Sequence, residues 1–368
     1  MSNQAQKEVQ LSPLTAAAEA CRAIMETYTP EELPPAGRWH YHQGVFLVGM
    51  FQLWKVAGDN QYLDYIKGYV NHLVDEHGNL LLDRGELDSV QAGLLLLELD
   101  EALGDSRYRK AADKLLHLLS TMNRTTEGGY WHKDKYPYQM WLDGLYMGGV
   151  YTMQYGLRYD RPELFEQVLY QEKLMRTHTR DEKTGLYHHA WDESKKMPWA
   201  DPDTGRSPEF WGRALGWYAL SLVEFLDMLP AGHEGRGVLE EALRDLAGSL
   251  VRYQDPESGL WYQVLDKGDR PDNWLETSCT SLFVYALAKG ARLSCLDASF
   301  KEAANRGFEG LLRTVYNNDK GLLVLPEICI GTGVGDYKHY VERPRSENDL
   351  HGVGAFVMAC VEIGRSES

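Results

Sequence analysis

Apolar positions recur along this chain in two alternating patterns. Segments starting near Leu14, Asp59, Ser106, Arg161, Glu234 and Asp297 carry apolar residues on one face and charge on the other. That is the signature of a helix with one side in water. Segments after Tyr41, Asp88, Asp143, Phe210, Glu276 and Asn348 are apolar nearly all round and rich in small residues, as in a helix buried on every side. Between each polar helix and the next apolar one stands a glycine followed by a short apolar or aromatic run. These are Gly78-Asn79-Leu80, Gly128-Gly129-Tyr130-Trp131, Gly185-Leu186-Tyr187, Gly259-Leu260-Trp261-Tyr262 and Gly321-Leu322-Leu323, and each run predicts a short strand.

Twelve helices alternating in this way predict two concentric layers. Six inner and six outer helices, joined as hairpins and closing on themselves, make an all-α (α/α)6 toroid with short β-strands in the loops at one end. The repeat outweighs the prior that about 150 residues make a domain. No Pro-, Ser- or Gly-rich linker interrupts the chain, so residues 1–368 are expected to form one barrel.

Composition narrows the function. The chain has 368 residues, 43% of them hydrophobic, and a formal net charge of −16. That balance disfavours nucleic acid and anionic membrane as partners. It leaves room for a small anionic ligand held by local charge. Residues Met1 to Gln10 are polar and predict no signal peptide, and no apolar run is long enough to span a bilayer. The five cysteines are scattered without a CxxC pair, so neither a disulfide framework nor a zinc site is expected. A cytoplasmic location follows, with a monomer or weak homo-oligomer.

The loops entering the inner helices gather at one end of such a ring. That end holds His40, Tyr41, Asp88, His132, Lys133, Asp143, His188, His189, Trp211, Arg213 and residues 331–337. Asp143, in Gln139-Met140-Trp141-Leu142-Asp143-Gly144, reads either as the N-cap of a helix starting at Gly144 or as a catalytic acid between aromatics. Asp88 opens Leu87-Asp88-Ser89-Val90-Gln91, close to a capping box. The two occupy equivalent places in successive repeats and would face one cavity. Two carboxylates sharing a cavity push at least one pKa up, as a proton donor near neutral pH requires. Trp39, Tyr41, Trp131, Trp141, Trp211 and Trp217 are either core or platforms for sugar rings. Arg213, alone in an apolar run, either pairs with Asp88 or Asp143 or holds a ligand carboxylate. The histidines and Lys133 predict a local positive patch. Their spacing does not suggest a metal, and no cofactor is called for.

Long motifs in this set carry a resemblance. Trp39-His40-Tyr41-His42-Gln43-Gly44, Trp131-His132-Lys133, Tyr136 through Gly149, Lys196-Met197-Pro198-Trp199-Ala200, Ser207-Pro208-Glu209-Phe210-Trp211 and Asn348-Asp349-Leu350-His351-Gly352 resemble the unsaturated rhamnogalacturonyl hydrolases of glycoside hydrolase family 105. The resemblance covers essentially the whole chain. It implies an (α/α)6 barrel acting on a Δ4,5-unsaturated galacturonic acid at the non-reducing end of a rhamnogalacturonan fragment, by protonation and hydration of the enol ether. It implies Asp143 as general acid/base and Asp88 as the second carboxylate. Contacts to the small unsaturated oligosaccharide are implied for His40, Tyr41, His132, Lys133, Asp134, Lys135, Tyr136, Trp141, His189, Trp211, Arg213, Trp217, Gly333 and Val334. Rival readings are an unsaturated glucuronyl hydrolase, a sugar epimerase on the same barrel, and a non-catalytic sugar-binding barrel.

Overall fold

A computed structural model describes residues 11–82 and 85–365. The reading of Met1 to Gln10 therefore falls outside the described residues. The outer helices are α1 (Pro13–Thr27), α3 (Asn60–Leu73), α6 (Ser106–Ser120), α8 (Glu163–Thr179), α10 (Arg236–Arg252) and α12 (Ala298–Thr314). The inner layer is α2 (Tyr41–Ala57), α4 (Leu87–Gln91) continued by α5 (Leu94–Leu103), a π-turn (Leu145–Val150) continued by α7 (Tyr151–Arg158), α9 (Gly212–Met228), α11 (Thr277–Arg292) and α14 (Leu350–Arg365). The remaining short helix is α13 (Tyr337–Val341).

Packing closes the ring. Helix α2 packs on α4, α4 on the π-turn, the π-turn on α9, α9 on α11, α11 on α14, and α14 back on α2. Each outer helix lies mainly on one inner element and touches a second, as α1 does with α14 and α2, and α12 with α11 and α14. One contiguous cluster of buried apolar side chains runs from α1 to α14. Three outer helices start where side-chain oxygens cap free amides: Ser12 accepts from Thr15 N, Asp59 from Gln61 N and Asp105 from Arg107 N. Among the described residues, no helix is long and apolar enough to cross a membrane.

The glycine marks are mostly tight turns rather than strands. Gly78, Gly128, Gly185, Gly259 and Gly321 all have φ between 70° and 88°, the left-handed region that a side chain disfavours. Each glycine amide donates to the carbonyl three or four residues earlier, at Asp75, Thr125, Asp181, Asp255 and Asn318. Residues 80, 130 and 187 make single antiparallel bridges back to the end of the preceding outer helix. Among the described residues, only the last of these glycine marks forms a strand pair, β3 (Tyr316–Asn317) with β4 (Leu323–Val324). The other pairs are β1 (Gln139–Trp141) with β2 (Ala190–Asp192), and β5 (Ile328–Cys329) with β6 (Arg345–Ser346).

Candidate active site

Neither aspartate is a helix cap. Asp88 is the second residue of α4, whose N-cap is Glu86. Asp143 stands two residues before the π-turn, and its Oδ2 has no aligned hydrogen-bond partner. The winding changes here because the helix must admit neighbours. A Cβ on Gly148 would sit 2.9 Å from Leu87 Cδ2, and one on Gly149 3.0 Å from Phe225 Cζ. Insertions of this kind cluster at functional sites.

Both carboxylates line one cavity of about 220 Å³ at the mouth where the inner helices begin. Its wall also takes His40, Tyr41 and His42 from the start of α2, and His132, Lys133, Lys135, Tyr136 and Trp141 from the loop ending in β1. Met147, Trp211, Arg213, Gly331, Thr332 and Gly333 complete it. The β1–β2 register explains how Asp143 finds its partner. Trp141 pairs with Ala190, and Leu142 N donates to His189 O at 3.0 Å, so the next side chains meet. His189 Nε2 lies 3.1 Å from Asp143 Oδ2, while its Nδ1 lies 2.8 Å from the Tyr340 hydroxyl.

Asp88 is held differently. The Lys133 ammonium bonds it and also Glu86 at 3.2 Å, while His132 Nε2 stands 3.3 Å from its other oxygen. Burial pushes the Asp88 carboxyl up, but Lys133 and His132 outweigh it and hold the group well below the usual carboxylate range. Burial also raises Asp143, and His189 and His132 bring it net below the ordinary value. The expected upward shift is therefore absent, because each carboxylate has its own partner instead of facing the other bare. The partners differ in charge. Lys133 stays an ammonium, since Asp88 and Glu86 overcome its burial. Burial pushes His189 down, so its ring is neutral at neutral pH. A Tyr340 hydroxyl donating to Nδ1 selects the tautomer with N–H on Nε2, the nitrogen on the Asp143 side, although the two are not aligned as a hydrogen bond.

The predicted positive patch is thinner than the residue count suggests. Burial pushes His40 down to about 4 and also lowers His188. Lys133 is committed to two carboxylates. Arg213 pairs with neither aspartate: its two terminal nitrogens donate to Cys329 O and to Ile330 O (2.7 Å), and its plane lies 4.5 Å from the Trp211 ring. Arg213 thus ties the start of α9 to the 329–333 loop while lining the cavity. His188 packs on Phe210 away from the cavity.

The aromatics divide. Trp141 lines the cavity, with the His132 ring stacked on it at 4.2 Å and Tyr136 at 5.0 Å. Trp39 stacks on Tyr69, and Trp217 lies parallel to Tyr146 at 4.8 Å; neither lines the cavity, so both read as core. Asp134 accepts from Asn123 outside the wall, and Val334 follows the last lining residue of its loop. Residues not predicted as site residues include Glu86, His42, Met147, Tyr340, Asp349 and His351. His42, Met147, Asp349 and His351 were visible only within quoted motifs, and Glu86 and Tyr340 gave no signal at all.

Among the described residues, two clusters bring three possible ligand atoms within 4.8 Å: His40 with Glu86 and Asp88, and His42 with Asp349 and His351. In the first, Lys133 already bridges the two carboxylates, where a cation would sit. Around the cavity, His40 Nδ1, His132 Nδ1, Asp143 Oδ2 and His189 Nε2 are buried without an aligned partner, leaving capacity for a bound polar molecule.

Comparison with known proteins agrees with this arrangement. Residues 16–367 match the model for Glycosyl Hydrolase Family 88. The chain is 30% identical over 261 residues to the unsaturated rhamnogalacturonyl hydrolase YesR of Bacillus subtilis, covering 69% of this chain and 72% of that protein. It superposes on a family 105 glycoside hydrolase from C. acetobutylicum with a TM-score of 0.90 and 34% identity, over 94% of this chain and 98% of the other. An unsaturated glucuronyl hydrolase from Bacillus sp. GL1 shares the fold at 16% identity and a TM-score of 0.71, over 96% and 97% of the two chains. An (α/α)6 ring with two buried carboxylates at its mouth, matched along nearly its whole length, belongs to glycosyl hydrolase family 88 and is a glycosidase.

Proposed function

We propose that this enzyme removes a Δ4,5-unsaturated galacturonic acid from the non-reducing end of rhamnogalacturonan fragments, in the breakdown of pectin after a lyase has cut the chain. The asymmetry between the two carboxylates carries the reading. Asp88 is locked as an anion by an ammonium, which suits it to accept hydrogen bonds from sugar hydroxyls. Among the described residues Asp143 has no ammonium bound to it, and the imidazole nearest it, His189, is neutral, so it is the carboxyl free to take up and release a proton.

In this scheme Asp143 delivers its proton to C4 of the alkene, and positive charge develops at C5. Water adds at C5, and the carboxylate left on Asp143 takes the proton that this water sheds. The hemiketal so formed opens, and C1 releases rhamnose or a rhamnose-ended oligomer. The wall of the cavity is mixed in character: Tyr41, Tyr136, Trp141 and Trp211 supply apolar faces, and the loop at 331–333 closes one side. The name of YesR supports rhamnogalacturonan over a glycosaminoglycan fragment as the source of the substrate. Five unpaired, buried cysteines suit a reducing compartment and so a cytoplasmic enzyme acting on imported fragments.

The test is optical. The conjugated alkene of unsaturated galacturonyl-rhamnose absorbs in the ultraviolet, and turnover should bleach that band as rhamnose appears. Its saturated counterpart should survive. Rhamnose released with the band intact would point to displacement at the anomeric carbon. A preference for unsaturated glucuronyl disaccharides would move the enzyme to the rival substrate.

A further inference from the structure

His42 is the second residue of α2, and its side chain lines the cavity. Its Nδ1 lies 3.1 Å from Asp349 Oδ1. Asp349 immediately precedes α14, and the same oxygen lies 2.9 Å from Nδ1 of His351, a fully buried ring. His351 in turn donates its Nε2–H to Cys329 O at 3.1 Å, the carbonyl that also receives Arg213, and its Nδ1 has no aligned partner among the described residues. Asp349 thus stands between two imidazoles and joins the start of α2 to the start of α14 and the cavity loop.

His351 is kept neutral by burial and gives its one N–H to the Cys329 carbonyl, so the ring that offers a proton to Asp349 is His42. That proton sits on Nδ1, and the lone pair is left on Nε2. This Nε2 has no partner among the described residues. It borders the cavity beside Gly331: a Cβ placed there would lie 3.7 Å from Nε2 and 3.8 Å from the Tyr41 hydroxyl. Burial keeps that phenol protonated, so an acceptor and a hydroxyl flank one spot on the wall. In that tautomer the lone pair on Nε2 receives an O–H.

We infer that His42, with its tautomer set by Asp349, is a substrate-positioning residue that accepts a hydrogen bond from a hydroxyl of the bound sugar. This rests on the unsaturated-uronide reading above. The competing view is that His42 and Asp349 merely brace α2 against α14. His42→Asn separates the two. An asparagine amide reproduces the Nδ1 donor toward Asp349 and places nothing at Nε2.

The experiment measures kcat and KM on unsaturated galacturonyl-rhamnose and on its monodeoxy analogues, for wild type and for His42→Asn. The loss of one hydrogen bond predicts a KM raised about fivefold to tenfold, with kcat within about threefold. One deoxy analogue should show that penalty already with wild type and no further penalty with the variant. An unchanged KM in His42→Asn beside an active wild type overturns this inference alone. A wild type inert toward the disaccharide overturns the functional reading and this inference with it. If His42→Asn does not fold, the analogues on wild type decide: no single hydroxyl deletion raising KM about fivefold overturns the assignment.

Discussion

Replacing Lys133 by Met removes the ammonium while keeping the bulk of its stem. Asp88 and Glu86 then remain in place with side chains only 6% and 8% exposed. Breaking a buried ion pair from one side costs about 3–5 kcal/mol, because a charge is left without its partner. His132 keeps one contact to Asp88, so the lower figure is the expected one. Unfolding entropy near ~2.1 cal/mol/K per residue gives roughly 0.8 kcal/mol/K for a chain of this length, so the melting temperature should fall by about 4 °C at pH 7. The pH dependence identifies the cause. In wild type the Asp88 carboxyl is held below its unfolded value, so its stabilisation is present above about pH 3.9 and is lost as pH falls below that. Lys133 is raised above its unfolded value, so its share is present below about pH 10.4 and lost above it. In the variant an unpaired Asp88 protonates more readily, which relieves the cost in acid. The gap between the two melting curves should be widest near neutrality and narrow toward pH 3.5. A calorimetric series showing the same deficit from pH 7 to pH 3.5, or none, would refute the assignment of Lys133 as the group that fixes Asp88.

Asp143→Asn should lose about 10²–10⁴-fold in kcat while melting near wild type, since that is the usual worth of acid–base help; near-normal turnover would remove Asp143 from the chemistry. Because Asp143 is held below its ordinary value in the free chain, binding an anionic uronate beside it should raise its pKa. The falling alkaline limb of kcat should therefore lie at higher pH than that of kcat/KM, and coincident limbs would count against a proton donor beside the substrate carboxylate. Tyr340→Phe removes the hydroxyl at His189 Nδ1 and the acceptor for Gly335 N. Losing one hydrogen bond that sets a tautomer should lower kcat about fivefold, and a fully active variant would show that His189 keeps its orientation unaided.

The ring was legible because burial on all sides leaves a mark in sequence that burial on one side does not. The nearly unbroken apolarity of Phe210 to Leu220 or Leu350 to Ile363 can only be satisfied inside a second layer. The gathering of Asp88 and Asp143 at one mouth followed from their equivalent places in the repeat. Their protonation did not follow, because it depends on partners brought by other segments. Lys133 reaches Asp88 across 45 residues, and Tyr340 reaches His189 across 151. Periodicity is blind to such pairs. The same limit applies to Arg213. An isolated guanidinium in an apolar run announces that it has a partner, but two backbone carbonyls carry no residue type that a pattern could find. The π-turn after Asp143 was hidden for another reason. Gly148-Gly149 signals close approach, yet whether the chain answers with tight packing or with a change of winding depends on Leu87 and Phe225.

Closure of the ring and assembly of the cavity are the same event at the α2–α14 seam. A Cβ on Gly354 would lie 2.5 Å from the carbonyl carbon and oxygen of Val45, and 2.6 Å from Phe46 Cα. These are backbone atoms and cannot rotate away, so Gly354→Ala must push α14 off α2. Overpacking of this kind costs about 1–3 kcal/mol. The displacement acts where the first residues of both helices meet, since His42 and Asp349 face each other across the seam. Gly354→Ala should therefore lower the melting temperature and raise KM together. Gly248 is the control: it lies on the exposed side of α10, where an added Cβ would meet nothing within 4 Å, so Gly248→Ala should leave KM unchanged and hold or slightly raise stability. A Gly354→Ala enzyme that is less stable but binds substrate as wild type does would mean that the mouth is organised independently of the seam, by the loops alone.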